Sequence, residues 1–191
     1  MLKKSLLARM LAGAATLAAV GVVAGAMPSS AAAPSYSYKC WGTSKDHCTV
    51  AVQAPKGWKF TQLDRDQAKF TKGSTEMLRV DGIYAKVSPK TQVARKTAEL
   101  KKVPGLKILS LSNGVTPSEI TWNNPKVVFY DVKYTYRDGA RGQRVVTTRY
   151  ADTLDGGNHA LVELTVGGRA QDQAELDLVL RKATQTVTLV G

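Results

Sequence analysis

The sequence predicts an α+β protein, an antiparallel β-sheet covered by two amphipathic helices. Three observations predict it. Long strand-like runs between residues 126 and 166 are joined by short turn signals, the pattern of an antiparallel meander. Two segments, one opening at Pro89 and one following Asp172, place apolar residues at helical spacing. The strands are segregated from these helices rather than alternating with them, which disfavours a parallel α/β sheet.

Length and composition agree with one folded domain. The chain has 191 residues, 43% hydrophobic and 22% charged, which is too apolar for a disordered chain and unlike a coiled coil. Its 27 Lys+Arg against 15 Asp+Glu leave a formal charge of +12. Only two His and two Cys are present, which leaves little for metal chemistry or a histidine-based catalytic site. No cofactor and no metal are expected.

Residues 1–32 read as a secretory signal peptide. Lys3, Lys4 and Arg9 form the basic start, 10–26 is almost wholly apolar, and the small residues Ser29-Ser30-Ala31-Ala32-Ala33 follow. Cleavage is expected after Ala32, because cutting after Ala33 would set Pro34 beside the scissile bond. The competing reading is a membrane anchor, but the Ala- and Gly-rich stretch is only weakly hydrophobic. The removed segment holds three bases and no acid, so the charge falls from +12 to +9. The expected location is extracellular, in contact with the cell wall or free, with no stable membrane insertion once the signal is removed.

Cys40 and Cys48 are expected to form a disulfide, since an even count in an exported chain favours a bond over a redox or zinc site. A metal site would recruit His47 but lacks a fourth ligand. So short a loop contributes about 2–3 kcal/mol through chain entropy. Residues 33–47 thus read as an N-terminal arm and disulfide loop, and 48–191 as a single α+β domain.

Within that domain, 49–52 is a strand ended by Pro55-Lys56-Gly57, and Trp58 follows. The runs 68–71 and 77–80 flank Gly73-Ser74 as a hairpin, with Asp81-Gly82 marking a bulge or turn. Ser88-Pro89 opens a helix, Ser as cap and Pro in its first turn. Val93, Thr97 and Leu100 form its apolar stripe, with Ala94 at the edge, and Pro104-Gly105 ends it. A strand over 106–111 is expected to stop at an Asn113-Gly114 turn. The runs 126–136, 144–152 and 160–166 form the meander, and Gly167-Gly168 ends it. Asp172 and Glu175 have capping-box spacing before a closing helix whose stripe is Leu176, Val179, Leu180, Ala183 and Val187.

This order, with Ala54-Pro55-Lys56-Gly57-Trp58 after a strand and turns at Asp138-Gly139 and Gly156-Gly157, resembles PsbP-like domains. The resemblance is nearest to their LpqN-type relatives of actinobacterial envelopes and spans residues 48–187. It implies a small binding or assembly module with a PsbP-like sandwich and no catalytic motif. The Cys40–Cys48 loop lies outside the family pattern.

No G-x-S-x-G elbow, P-loop or dinucleotide fingerprint is present, and neither His47 nor His159 stands in a catalytic context. Tyr130, Tyr134 and Tyr136 share a strand face with Val128 and Val132, which reads as core packing. The basic residues are the functional lead. Lys86, Lys90, Arg95, Lys96, Lys101, Lys102 and Lys107 crowd around the first helix against Glu99 alone. A second cluster of Arg137, Arg141, Arg144 and Arg149 surrounds the first meander turn. Of these, Lys90, Arg95, Lys96, Lys101, Lys102, Arg141 and Arg144 are the candidate anion-binding residues.

The expected function is a secreted, monomeric, non-enzymatic binding module that presents a basic surface to a protein or an anionic envelope polymer. Nucleic acid is disfavoured by the compartment. One alternative is an inhibitor of an extracellular hydrolase that inserts the disulfide loop, with Trp41 and His47 as contact residues. Another is an enzyme with an unrecognised site. The secreted form is expected to begin at or near Ala33 with no free thiol. Intact mass before and after alkylation checks both, and two alkylated cysteines in the unreduced protein would exclude the disulfide.

Overall fold

The computed structural model describes residues 33–43, 47–83, 87–120, 126–155 and 158–189, except the side chains of 154, 155 and 158–160. The expected signal segment 1–32, Lys86, Trp122, Gly156-Gly157 and the His159 side chain lie outside the described residues. In chain order the elements are β1 (Tyr36–Trp41), β2 (Val50–Pro55), β3 (Lys59–Gln62), β4 (Gln67–Lys72), β5 (Glu76–Ile83), α1 (Pro89–Leu100), β6 (Lys107–Pro117), β7 (Lys126–Arg137), β8 (Gln143–Asp155), β9 (Asn158–Gly168), α2 (Gln173–Thr186) and β10 (Thr188–Leu189).

The meander forms as its alternation requires. β7 pairs with β8 and β8 with β9, both antiparallel and in continuous register. β9 pairs with β5, and β4 and β3 follow outward, all antiparallel. Gly73 turns the β4–β5 hairpin at φ +58°, a conformation that glycine adopts without strain. On the other flank of β8 the sheet forks. β7 and then β6 attach along its first part, while β10 attaches in parallel at Asp155 and leads to β2 and β1.

Consecutive strand residues point to opposite faces, and the two helices divide those faces. Val162, Leu164 and Val166 of β9 pack with Leu78 and Val80 of β5 and with Leu176, Val179, Leu180 and Ala183 of α2. Leu161, one residue out of phase, packs with Val132, Tyr150, Val93 and Leu100 beneath α1. On that second face β4, β5 and β9 carry Gln67, Lys69, Arg79, Asp81, Glu163 and Thr165. The α1 face is therefore covered only in part, because a polar row offers no apolar surface to hold a helix.

Several local expectations give way to tertiary pairing. The N-terminal arm is not free: residues 36–41 form the edge strand β1 on β2. Trp41 closes that strand and is only 4% exposed, its ring 6.0 Å from Phe60 and 6.1 Å from Phe70. The Cys40–Cys48 bond forms, and the Thr49 N–H donates to the Trp41 carbonyl at 2.8 Å, so Trp41 folds inward. The loop-plug reading loses its aromatic anchor, while His47 stays exposed. Asp81-Gly82 makes no bulge but pairs in register with Glu163 and Val162. α1 keeps its expected cap, the Thr91 N–H donating to Ser88 Oγ at 3.2 Å, yet ends at Leu100, three residues early. At α2, Asp172 accepts from the Arg169 N–H at 2.9 Å rather than pairing with Glu175, and Val187 lies just past the helix.

The clearest override is at Asn113-Gly114. Instead of turning, the chain runs straight through as β6, with Gly114 opposite Phe129. A Cβ at Gly114 would stand 2.6 Å from Phe129 Cζ, so glycine is present here for close approach. The ring cannot easily withdraw, because the Arg149 guanidinium lies 3.6 Å from its centroid on the same side chain stack. Gly114→Ala is expected to destabilise the fold by about 1–3 kcal/mol through overpacking. Chemical denaturation checks it, with Asn113→Ala as a near-neutral comparison.

Candidate binding groove

A groove of about 470 Å³ opens between α1 and the β6–β7 wing. Its α1 wall is Lys90, Val93, Ala94, Thr97, Ala98 and Lys101, spaced i, i+3, i+4, i+7, i+8 and i+11, which is one helix face. Leu111 and Asn113 of β6 and Tyr130 of β7 form the opposite wall. The Thr97 hydroxyl donates to the Val93 carbonyl at 2.6 Å, so it is satisfied within the helix. What faces the groove is a mainly apolar floor with an ammonium at each end. At 1.5 Å per residue, Lys90 and Lys101 stand about 16 Å apart along the helix.

The candidate cations therefore do not form one patch. Lys90 and Lys101 share the groove, whereas Arg95 and Lys102 share a different exposed line seven residues apart. Lys96 turns toward the sheet and lies 3.9 Å from Glu163 Oε1. The second cluster is dispersed by strand alternation. Arg144 is only 4% exposed, with Nε and Nη1 buried and unbonded, so it is no part of a solvated anion-binding surface. Its guanidinium lies beside Gly167, where a Cβ would sit 3.5 Å from Nη2. Arg149 is on the opposite face, paired through Nε and Nη2 to Asp131, both at 2.8 Å, while Nη1 donates to Thr184 at 3.0 Å. Arg141 is exposed and lies 3.3 Å from Asp138.

Sequence reading missed Ala98, Leu111 and Tyr130 as a shared lining. Ala94 and Ala98 carried a local signal, one turn apart beside the buried stripe. Nothing local could bring Leu111 to them, since that requires the β6–β7 and β7–α1 contacts together. A second cleft of about 290 Å³ is lined by Pro34, Trp58, Lys72 and Glu175 among others, with Lys72 and Glu175 already paired at 2.8 Å.

Beneath and beside α1 runs a row of register partners: Gln67, Asp81, Glu163, Tyr150, Tyr130 and Asn113. Tyr150 donates to Glu163 Oε2 at 2.7 Å, and Gln67 donates to Asp81 Oδ2 at 2.5 Å. Burial, and then the charge of the Glu163 carboxylate that accepts its hydrogen bond, hold the Tyr150 phenol far above its usual range. Burial also raises the Asp81 carboxyl; the Gln67 hydrogen bond offsets part of this and the Glu163 charge adds to it.

The fold has a counterpart among solved structures. LpqN of Mycobacterium tuberculosis, described as involved in cell envelope biogenesis, matches with a TM-score of 0.51 at 12% identity, over 82% of this chain and 92% of that one. The chain shares its fold with LpqN. The LpqN-type resemblance thus holds at the level of fold. The Ran-binding protein Mog1p of Saccharomyces cerevisiae also matches, with a TM-score of 0.48 at 9% identity, over 82% of this chain and 96% of that one. No protein-family model matches the chain, and no curated protein matches its sequence.

The raised Asp81 carboxyl carries a sign for stability. A raised native value means the folded state binds the proton more tightly, so stability falls as pH rises from the usual carboxylate range through the native value. Asp81→Asn keeps an acceptor for Gln67 and removes that loss. The variant is expected to melt higher than the parent at pH 7 and to lose this advantage near pH 3.5, checked by melting temperature across that range.

Proposed function

We propose that this protein is a secreted, non-enzymatic binding module whose α1–β6 groove takes an anionic amphiphile of the cell envelope. The single observation that carries this reading is the joining of an apolar floor to Lys90 and Lys101 in one groove. An apolar chain lying along α1 would remove Val93, Ala94, Ala98, Leu111 and Tyr130 from water. Each buried methylene contributes about 0.8 kcal/mol, so about eight would give about 6 kcal/mol before ordering costs. An anionic head would then meet a lysine at either end. The non-enzymatic part is supported by the lining, where the Asp131 carboxylate is held by Arg149 rather than offered to a substrate. Export is supported by the Cys40–Cys48 bond, and an envelope setting by what is said of LpqN. Among the described residues no helix is long and apolar enough to cross a membrane.

The test compares laurate with the uncharged dodecyl maltoside by calorimetry. Laurate is expected to bind more tightly, and increasingly weakly as salt rises, because exposed charges are screened over about 8 Å at physiological ionic strength. Ala98→Trp fills the groove from an exposed helix position and is expected to abolish binding of both without lowering the melting temperature. Changing Lys90 and Lys101 together to Gln is expected to weaken laurate roughly two- to fivefold, about 0.5–1 kcal/mol for the one contact its head makes, and leave the maltoside unchanged. Laurate binding that survives Ala98→Trp overturns the groove. Absence of laurate binding, with polyanion retention lost on changing Arg95 and Lys102 to Gln, moves the partner to an anionic polymer on that helix line.

A further inference from the structure

β6 is the outer strand of the β7–β6 wing, and among the described residues it pairs with β7 alone along its eleven residues. An edge strand presents unpaired N–H and C=O groups, which proteins blunt with charge, proline, bulges or a cover. Here the guards stand only at the ends. Lys107 and the register shift between Ile108 and Ser110 protect one, and Pro117 protects the other. From Ile108 to Pro117 no residue is charged, in a chain of net charge +12. One face of that stretch carries Leu111 and Val115, each 58% exposed, beside Val128 of β7 at 42%. The other carries Ser110, Ser112, Gly114 and Thr116, side chains too small to shield the backbone.

We propose that the β6 edge pairs antiparallel with β6 of a second copy of this chain, giving a symmetric dimer whose sheet continues across the two-fold axis. Two properties select a second copy as the occupant. The first is charge: copies of so basic a chain repel wherever lysines meet, and β6 is a long strip where they do not. An acidic partner would gain nothing from that neutral strip. The second is self-complementarity. A two-fold at Ser112, the midpoint of β6, sets Leu111 opposite Asn113 and Ser110 opposite Gly114, the ladder ending on each side where the register shift beyond Ser110 begins. Odd-numbered residues meet odd-numbered residues, so the register keeps Leu111 and Val115 of both copies on one face, next to both Val128 side chains. Each Lys107 then lies beside the other copy's Pro117, about 33 Å from its counterpart. The remaining like charge makes this dimer tighten with salt, opposite to anion binding in the groove. Leu111 and Asn113 also line the groove, but the pairing is made by backbone groups of the β6 edge and needs no groove ligand.

The experiment is sedimentation equilibrium of the mature protein, with two cysteine variants. The average mass is expected to rise from one chain to two, with a dissociation constant of roughly 1–100 μM, and to rise further at high salt. Leu111→Lys, at an exposed position, is expected to leave the melting temperature unchanged and hold the protein at one chain. Ser112→Cys places two thiols directly opposite each other, with Cα atoms about 4.5–5.5 Å apart, so mild oxidation is expected to link the copies. Ser110→Cys displaces the pair by about 13 Å along the strands and is expected not to link. A mass of one chain at every concentration, or equal linking of the two cysteine variants, overturns the proposal.

Discussion

β8 bonds to three strands with only two flanks, and the rest of the molecule is arranged around that fact. β9 occupies one flank throughout, so β7 and β10 must share the other, β7 up to Ala151 and β10 at Asp155. The sheet is forced to fork. One wing, β10–β2–β1, closes over the α2 core and holds Trp41 inside it. The other, β7–β6, leans out beneath α1 and leaves the groove and the exposed β6 edge. The Asp131–Arg149 pair stands beside the fork, reaching Thr184 of α2 on one side and stacking on Phe129 on the other. Its side chains are nearly buried, and a buried ion pair is tolerable only when its remaining donors are met, as Thr184 does here.

The groove follows from incomplete coverage. α1 offers only Val93, Thr97, Leu100 and Pro89 as buried residues, a stripe narrow enough to leave Ala94 and Ala98 at the margin. Alanine there keeps the helix from filling the gap to Leu111 and Tyr130. Toward β5 the same face turns polar, and Glu163 is met by Tyr150, Thr165 and Lys96 rather than by an apolar side chain. A long helix amphipathic on both sides would have closed this face. The chain instead has a short one with lysines on its flanks.

Much of the fold was legible in the residues. The period-two runs of 126–136, 144–152 and 160–166 became β7, β8 and β9, because long alternating strands joined by short turns have few other ways to bury one face. Val93-Thr97-Leu100 and Leu176-Val179-Leu180-Ala183 are buried stripes, and Ser88 caps its helix. Asn113-Gly114 has turn chemistry, but ten ladder partners on β7 and the Phe129 ring outweigh a local preference. Tyr36–Trp41, which reads as a free arm, does alternate Tyr, Ser, Tyr, Lys and Cys, but its strand partner β2 and the Cys40–Cys48 bond are what hold it in the sheet. Arg144 reads as surface charge in a basic cluster, yet strand alternation turns it inward, where it is only 4% exposed beside Gly167.

Period and side-chain chemistry within single elements specify the α+β class, the meander, both helix faces, the disulfide pair and the basic balance. Which lysines meet, which tryptophan is buried and where the sheet forks were decided only in three dimensions. Lys90 and Lys101 become one site because both lie on the helix face that looks across to Leu111, twenty-one residues beyond the first of them. That juxtaposition depends on long-range register, and register is a property of paired strands rather than of any single run of residues.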